Sequence, residues 1–132
     1  MLYCGFDPGK DKCGLAIVSA TGQPILHEVI PSSQALDTLL NWTQTHSVKT
    51  VILGDQTGSK TWRSRITEVA PTLEIIPIDE RYSSQQARDR YWQMYPAKGL
   101  QKLVPQGMRT PPRPIDDLVA IILVERYLNL KP

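Results

Sequence analysis

Apolar residues fall into short runs separated by turn-forming residues, and the spacing inside each run sets the element it should form. Residues 2–6 and 13–19 read as two strands joined by the bend Asp7, Pro8, Gly9, Lys10, so a hairpin is expected. Turn residues 20–23 lead into a third strand over 25–30, which Pro31 stops and Ser32 turns into a helix start. In that helix Leu36, Leu39, Leu40 and Thr43 recur at helical spacing, with Asp37, Asn41 and Gln44 outside, so it should cover one face of a sheet.

Residues 50–53 and 73–78 are short, apolar runs of the kind that form interior parallel strands. The first is broken by a loop over 54–58 and followed by a helix over 62–69. The second ends in Asp79, Glu80, Arg81, after which Ser83 or Ser84 should cap a polar helix running toward Tyr95. Residues 96–114 are rich in Pro, Gly, Lys and Arg, which predicts an irregular segment. The last helix should begin near Ile115 and be apolar nearly all round through Leu118, Val119, Ile121, Ile122, Leu123 and Val124, with Asp116 and Asp117 in its first turn. No repeat or linker interrupts this order, so residues 1–132 are expected to form one α/β domain.

Hydrophobic residues make up 41% of the chain and charged ones 21%, which excludes a disordered or fibrous protein. No stretch approaches the roughly 18 apolar residues of a membrane span, and the N-terminus has no basic-then-apolar leader. A cytoplasmic location without a membrane partner is expected. Cys4 and Cys13 sit in strand-like runs without metal-ligand spacing, and buried free thiols are the expected state.

The net charge of +2 hides an uneven distribution. Residues 59–113 hold ten Lys/Arg against five Asp/Glu, while the remainder holds five against eight. A +5 segment beside a −3 remainder suits a polyanion approaching a carboxylate-lined, metal-filled site, although a solvated surface has the same count.

Three acidic positions stand out: Asp7 after the first strand, Asp79 and Glu80 after the fifth, and Asp116 and Asp117 opening the last helix. Strand ends of an α/β sheet converge on a crevice, so these acids could meet there and hold Mg²⁺ or Mn²⁺. Each acid alone has a plainer reading. Asp7 fits a turn, Glu80 an ion pair with Arg81 or Arg88, and Asp116 or Asp117 a charge favoured by the helix dipole. Asp55 is a reserve ligand that a polar turn through Asp55, Gln56, Thr57 and Gly58 explains as well. The Gly54-to-Lys60 loop could cradle a phosphate but lacks P-loop spacing, and a plain strand-to-helix turn accounts for it. Lys10, Lys60, Arg63, Arg81, Arg109 and Arg113 are the candidate nucleic-acid contacts. Trp62, Tyr91, Trp92 and Tyr95 could stack on bases, but their helical spacing favours the core. His27 and His46 match no nucleophile-base arrangement and are expected to be structural or surface residues.

Gly5, Phe6, Asp7, Pro8, Gly9 with Gly14, Leu15, Ala16, the run Asp79, Glu80, Arg81, Tyr82, Ser83, Ser84, Gln85, Gln86, Ala87, and the closing Asp117, Leu118, Val119, Ala120 resemble motifs of one family. It is the YqgF family, also called RuvX, of Holliday junction resolvases or pre-16S rRNA nucleases within the ribonuclease H-like superfamily. The resemblance spans nearly the whole chain. Asp7, Pro8, Gly9 is closer to the RuvC resolvase pattern, and Gly54, Asp55, Gln56 stands where Gly-Leu-Pro is usual. The resemblance implies a mixed five-stranded sheet, strands one to three antiparallel, flanked by helices. It implies a Mg²⁺- or Mn²⁺-dependent endonuclease acting on branched DNA or precursor rRNA, with catalytic and metal-binding acids at Asp7, Glu80 and Asp117. Asp116 takes the last place if the helix alignment shifts by one residue. A homodimer would suit a junction-cutting enzyme. Two rivals remain: a non-catalytic nucleic-acid or ribosome-assembly binding module of the same fold, and an ATP-handling domain like those of actin-like sugar kinases, which need two such domains.

Overall fold

The computed structural model describes residues 1–56 and 58–129. Thr57, in the loop expected over 54–58, and residues 130–132 lie outside the described residues. The chain opens with an antiparallel meander of β1 (Leu2–Asp7), β2 (Lys12–Ser19) and β3 (Pro24–Pro31). Helix α1 (Ser32–Thr45) crosses to β4 (Thr50–Gly54), which pairs parallel with β1, and α2 (Ser59–Val69) crosses to β5 (Glu74–Ile78), parallel with β4. The sheet order is β3-β2-β1-β4-β5, with α3 (Ser83–Met94) and α4 (Asp116–Asn129) completing the chain.

Both sheet faces are buried, which explains why the central strands are apolar at successive positions rather than alternating with polar ones. Cys4, Phe6, Cys13, Leu15 and Ile17 pack with Leu39, Trp42, Trp62 and Ile66 of α1 and α2. Tyr3, Ala16 and Val18 pack on the opposite face with the buried run Leu118–Val124 of α4 and with Ala87, Tyr91 and Trp92 of α3. The period-2 geometry of β1 therefore puts Asp7, in step with Tyr3 and Gly5, on the face that α4 covers.

Helix α4 lies in direct backbone contact with the sheet. A Cβ on Gly5 would collide with the Ala120 carbonyl, and one on Gly14 with the Asp116 carbonyl. These two glycines let the helix seat itself low over β1 and β2, and so fix where its first turn stands relative to Asp7.

Element boundaries differ from expectation at two places. Helix α2 starts at Ser59 rather than Trp62, because Gly58 takes a left-handed conformation (φ 93°) that turns the chain directly into the helix. Helix α3 begins after Tyr82, itself left-handed (φ 63°), and Ser83 is its first residue rather than its side-chain cap. The 96–114 segment contains only two short 3₁₀ turns, Gly99–Leu103 and Gln106–Met108.

Candidate active site

Asp7 ends β1 and Glu80 follows β5 by two residues, so the strand ends deliver both carboxyls to one edge of the sheet. The two carboxyls stand close enough for Glu80 to act on Asp7. Glu80 is 7% exposed and accepts the backbone N–H of Gln56 on Oε1 at 3.0 Å. A Cβ at Gly54 would stand 2.6 Å from Glu80 Oε2, so only glycine leaves the carboxylate its place. The pair lines a cleft of about 270 Å³ together with Pro8, Gln56, Tyr82, Ser83 and Ser84.

Burial is the main reason that the Asp7 carboxyl is pushed up to about 8; its hydrogen bond to Glu80, the charge of Glu80 and the charge of Asp116 add to the rise. Asp116 is also raised, first by its own burial and then by Asp117, against the opposing pull of Lys12. Two of the expected acids, Glu80 and Asp116, therefore bear on a third, Asp7.

Asp117 is placed differently. Its Oδ2 lies 2.7 Å from His27 Nδ1 and its Oδ1 accepts Arg113 Nη1 at 3.1 Å, and its side chain is almost fully enclosed. Sequence reading missed the His27 contact. Residue 27 pairs with Ala16 in the β2–β3 register, which sets it on the face that α4 covers.

The candidate phosphate-binding cations divide in two. Lys60 and Arg63 are exposed on α2, and Lys10 lines a separate groove with Pro8, Gly9, Trp62 and Arg65. Arg81, Arg109 and Arg113 are engaged internally. Arg81 pairs with Asp79 at 3.0 Å, Arg109 Nε donates to the carbonyls of Gln101 and Val104, and Arg113 holds Asp117. Trp62 meets Phe6 edge-on at 4.9 Å and Tyr91 meets Trp92 at 5.0 Å, both within the core. Asp55 is exposed. Burial pushes the Cys4 thiol up to about 12, so it is no nucleophile at neutral pH.

Sequence reading missed Arg126. From the last turn of α4 its Nη1 donates to the Asp79 carbonyl at 2.6 Å, and its Nη2 donates to the Arg81 carbonyl at 2.6 Å and to Gln86 Oε1 at 2.8 Å. It clasps the backbone on both sides of Glu80.

Among the described residues no group of three or more His, Cys, Asp or Glu side chains is gathered closely enough to hold a metal ion. The donor chemistry nevertheless fits a hard dication. Asp7 and Glu80 supply carboxylate oxygens whose mutual repulsion a cation would relieve, and Mg²⁺ commonly takes one or two carboxylates and completes its shell with water and phosphate oxygens.

The mixed sheet with its antiparallel first three strands and helices on both faces is the ribonuclease H-like architecture. Two solved structures share it across their whole length. The Fowlpox virus resolvase, crystallised with its Holliday junction DNA substrate, superimposes with a TM-score of 0.66 at 16% identity, covering 98% of each chain. RuvC of Thermus thermophilus gives a TM-score of 0.60 at 13% identity, covering 99% of this chain and 97% of that one. No protein-family model matches the sequence, and no curated protein matches it significantly. Among the described residues no helix is long and apolar enough to cross a membrane.

Proposed function

We propose that this protein is a divalent-metal-dependent endonuclease of the cytoplasm that hydrolyses phosphodiester bonds in branched DNA or, as the second substrate class, precursor rRNA. The observation that carries the reading is that the Asp7 and Glu80 carboxyls line one cleft at the sheet edge, close enough for Glu80 to raise Asp7, with Asp116 near enough to add to the rise. Such an arrangement costs the folded state stability unless a cation joins it. The likeness to the Fowlpox virus resolvase, whose structure holds a Holliday junction, supports branched DNA over other substrates.

In this reading Asp7 and Glu80 hold Mg²⁺ or Mn²⁺, and Asp116 is the third acid in place of Asp117. The bound ion supplies activation of the attacking water and charge neutralisation at the leaving oxygen. The chain's own residues do the rest. Gln56 N–H and the Arg126 clasp orient Glu80, Gly54 keeps its carboxylate clear, and Lys10, Lys60 and Arg63 grip phosphates. Resemblance to YqgF and RuvX, and a homodimer that would place two such sites on one junction, belong to the same proposal.

The engagement of Asp117 by His27 and Arg113 favours one second reading, a non-catalytic nucleic-acid-binding module. Cleavage of labelled four-way junctions, matched duplexes and a precursor-rRNA fragment, each with Mg²⁺, Mn²⁺ or EDTA and beside Asp7→Asn, separates the two. Metal-dependent cutting lost in the variant supports the nuclease and names its substrate. Binding that ignores metal, without cutting, selects the module.

A further inference from the structure

We infer that the 3₁₀ turn Gly99–Leu103 carries an apolar wedge, Leu100 and Leu103, that enters between unstacked bases at the branch point of a nucleic acid. The inference rests on the nucleic-acid reading above and assigns it a substrate feature: bases that are unpaired or easily parted.

Between Asp89 and Asp116 the chain contains five Lys/Arg residues and no acid. In the middle of this basic stretch Leu100 is 82% exposed and Leu103 79%, with Met108 at 74% nearby. A 3₁₀ helix has three residues per turn, so side chains at i and i+3 eclipse one another, and the two leucines stand on one side of the turn as a single ridge. Lys98 and Lys102 neighbour that ridge in sequence.

The ridge stands on a braced support. Arg109 Nε donates to the Gln101 carbonyl at 3.0 Å and to the Val104 carbonyl at 2.8 Å, and its guanidinium lies 5.6 Å from the Trp92 ring. Gln106 Nε2 donates to Asp89 Oδ1 at 3.3 Å, and Arg113 ties the far end of the segment to Asp117. The brace thus ends one residue from Asp116, beside the candidate active site.

Charge selects the occupant. Arg90 and Arg113 are paired with Glu125 and Asp117, but Lys98, Lys102 and Arg109 still bring positive charge to the turn, which attracts a polyanion and disfavours a second copy of the same surface. Within a polyanion of phosphates and sugars, the apolar surface available to leucine is the stacked bases, and aliphatic side chains serve as wedges between base steps in proteins that kink or open nucleic acid. Parting a base step costs least where the bases are already unpaired, so the wedge discriminates a branch point from continuous duplex.

The test is binding in EDTA, which needs no cleavage, to a four-way DNA junction carrying 2-aminopurine at its branch point and to a matched duplex. The wild type should raise 2-aminopurine fluorescence and prefer the junction. Leu100→Ser with Leu103→Ser should lose the rise and weaken junction binding roughly tenfold or more, while duplex binding and melting temperature stay unchanged. Leu100→Met with Leu103→Met should retain both signals. A wild type that binds the junction without a fluorescence rise, or no better than duplex, overturns the wedge. So does a serine pair that keeps the rise or loses duplex binding equally. A serine pair that converts a wild-type dimer to monomer in sedimentation overturns it in favour of a contact between copies. Cutting without a fluorescence rise sinks the wedge alone, and a rise without cutting sinks the nuclease reading alone.

Discussion

His27 and Asp117 lie ninety residues apart in sequence, and the imidazole Nδ1 stands 2.7 Å from the carboxylate Oδ2. Arg113 holds the other oxygen, so Asp117 has both of its oxygens engaged, while Asp116 beside it acts on Asp7. The two neighbours should therefore fail differently. Asp116→Asn should lower cleavage at least about a hundredfold with little change in melting temperature. Asp117→Asn leaves an enclosed hydrogen-bond network short of a partner and should cost about 1–3 kcal/mol of stability. Melting curves and single-turnover cleavage of both variants decide the matter. An inactive Asp117→Asn with an unchanged melting temperature would return the third acid to Asp117.

The carboxyl of Asp7 titrates near 8 in the folded chain, against about 3.9 in an unfolded one. Between those values the folded state keeps a proton that the unfolded state has released. The stabilisation linked to Asp7 is thus complete below about pH 4 and disappears as pH rises through about 8. Metal-free protein should melt several degrees lower at pH 8 than at pH 5, and Mg²⁺ at pH 8 should recover the loss. Asp7→Asn, which cannot ionise, should shrink the gap. Scanning calorimetry in EDTA at the two pH values checks this, and an equal gap in both proteins would refute it.

Glycines 54 and 14 make a contrast in how close approach is used. A Cβ at Gly54 meets the end of a flexible side chain, Glu80 Oε2, whereas one at Gly14 meets the backbone carbonyl of Asp116. Gly54→Ala should fold with a melting temperature near wild type yet lose most of its cleavage, because Glu80 swings away from Asp7. Gly14→Ala should lift the start of α4 from the sheet and destabilise the chain by about 1–3 kcal/mol. If Gly54→Ala cuts normally, the orientation of Glu80 matters less than proposed.

Much of this fold was legible in the sequence because it rests on periodicity. The all-round apolar character of 118–124 identified the helix that the sheet buries, and the β-branched run at 50–53 identified an interior strand. Asp7, Glu80 and Asp116 could be placed at strand and helix ends for the same reason. Contacts across the fold were not legible. His27 looked like a structural or surface residue because its partner lies on the last helix, and the registers that bring them together are set by tertiary packing. The resemblance put the third acid at Asp117, with Asp116 beside it as the rival; one residue of helix is a turn of about 100°, and the seating of α4 on Gly5 and Gly14, which sets where that first turn stands, is a tertiary contact.

Arg126 shows how the same helix governs Glu80 from its other end. The carbonyls of residues 79, 80 and 81 are all taken: the first and third by Arg126, the second by Ser83 through its N–H at 3.1 Å and its hydroxyl at 2.6 Å. Tyr82, next in the chain, keeps a left-handed conformation that a non-glycine residue holds only when its surroundings impose it. Arg126→Lys preserves the charge, but a single ammonium group cannot reproduce the planar fork that spans two carbonyls and Gln86. Its expected cost is about 1–3 kcal/mol, too little to unfold a typical domain. Amide exchange at Arg81 and Ser83 should accelerate, and cleavage should fall more than substrate binding does. Arg126→Met should show the same pattern more strongly. Unchanged exchange at both amides in Arg126→Lys would mean that the turn holds Glu80 without the arginine, and that Arg126 serves only to join α4 to α3.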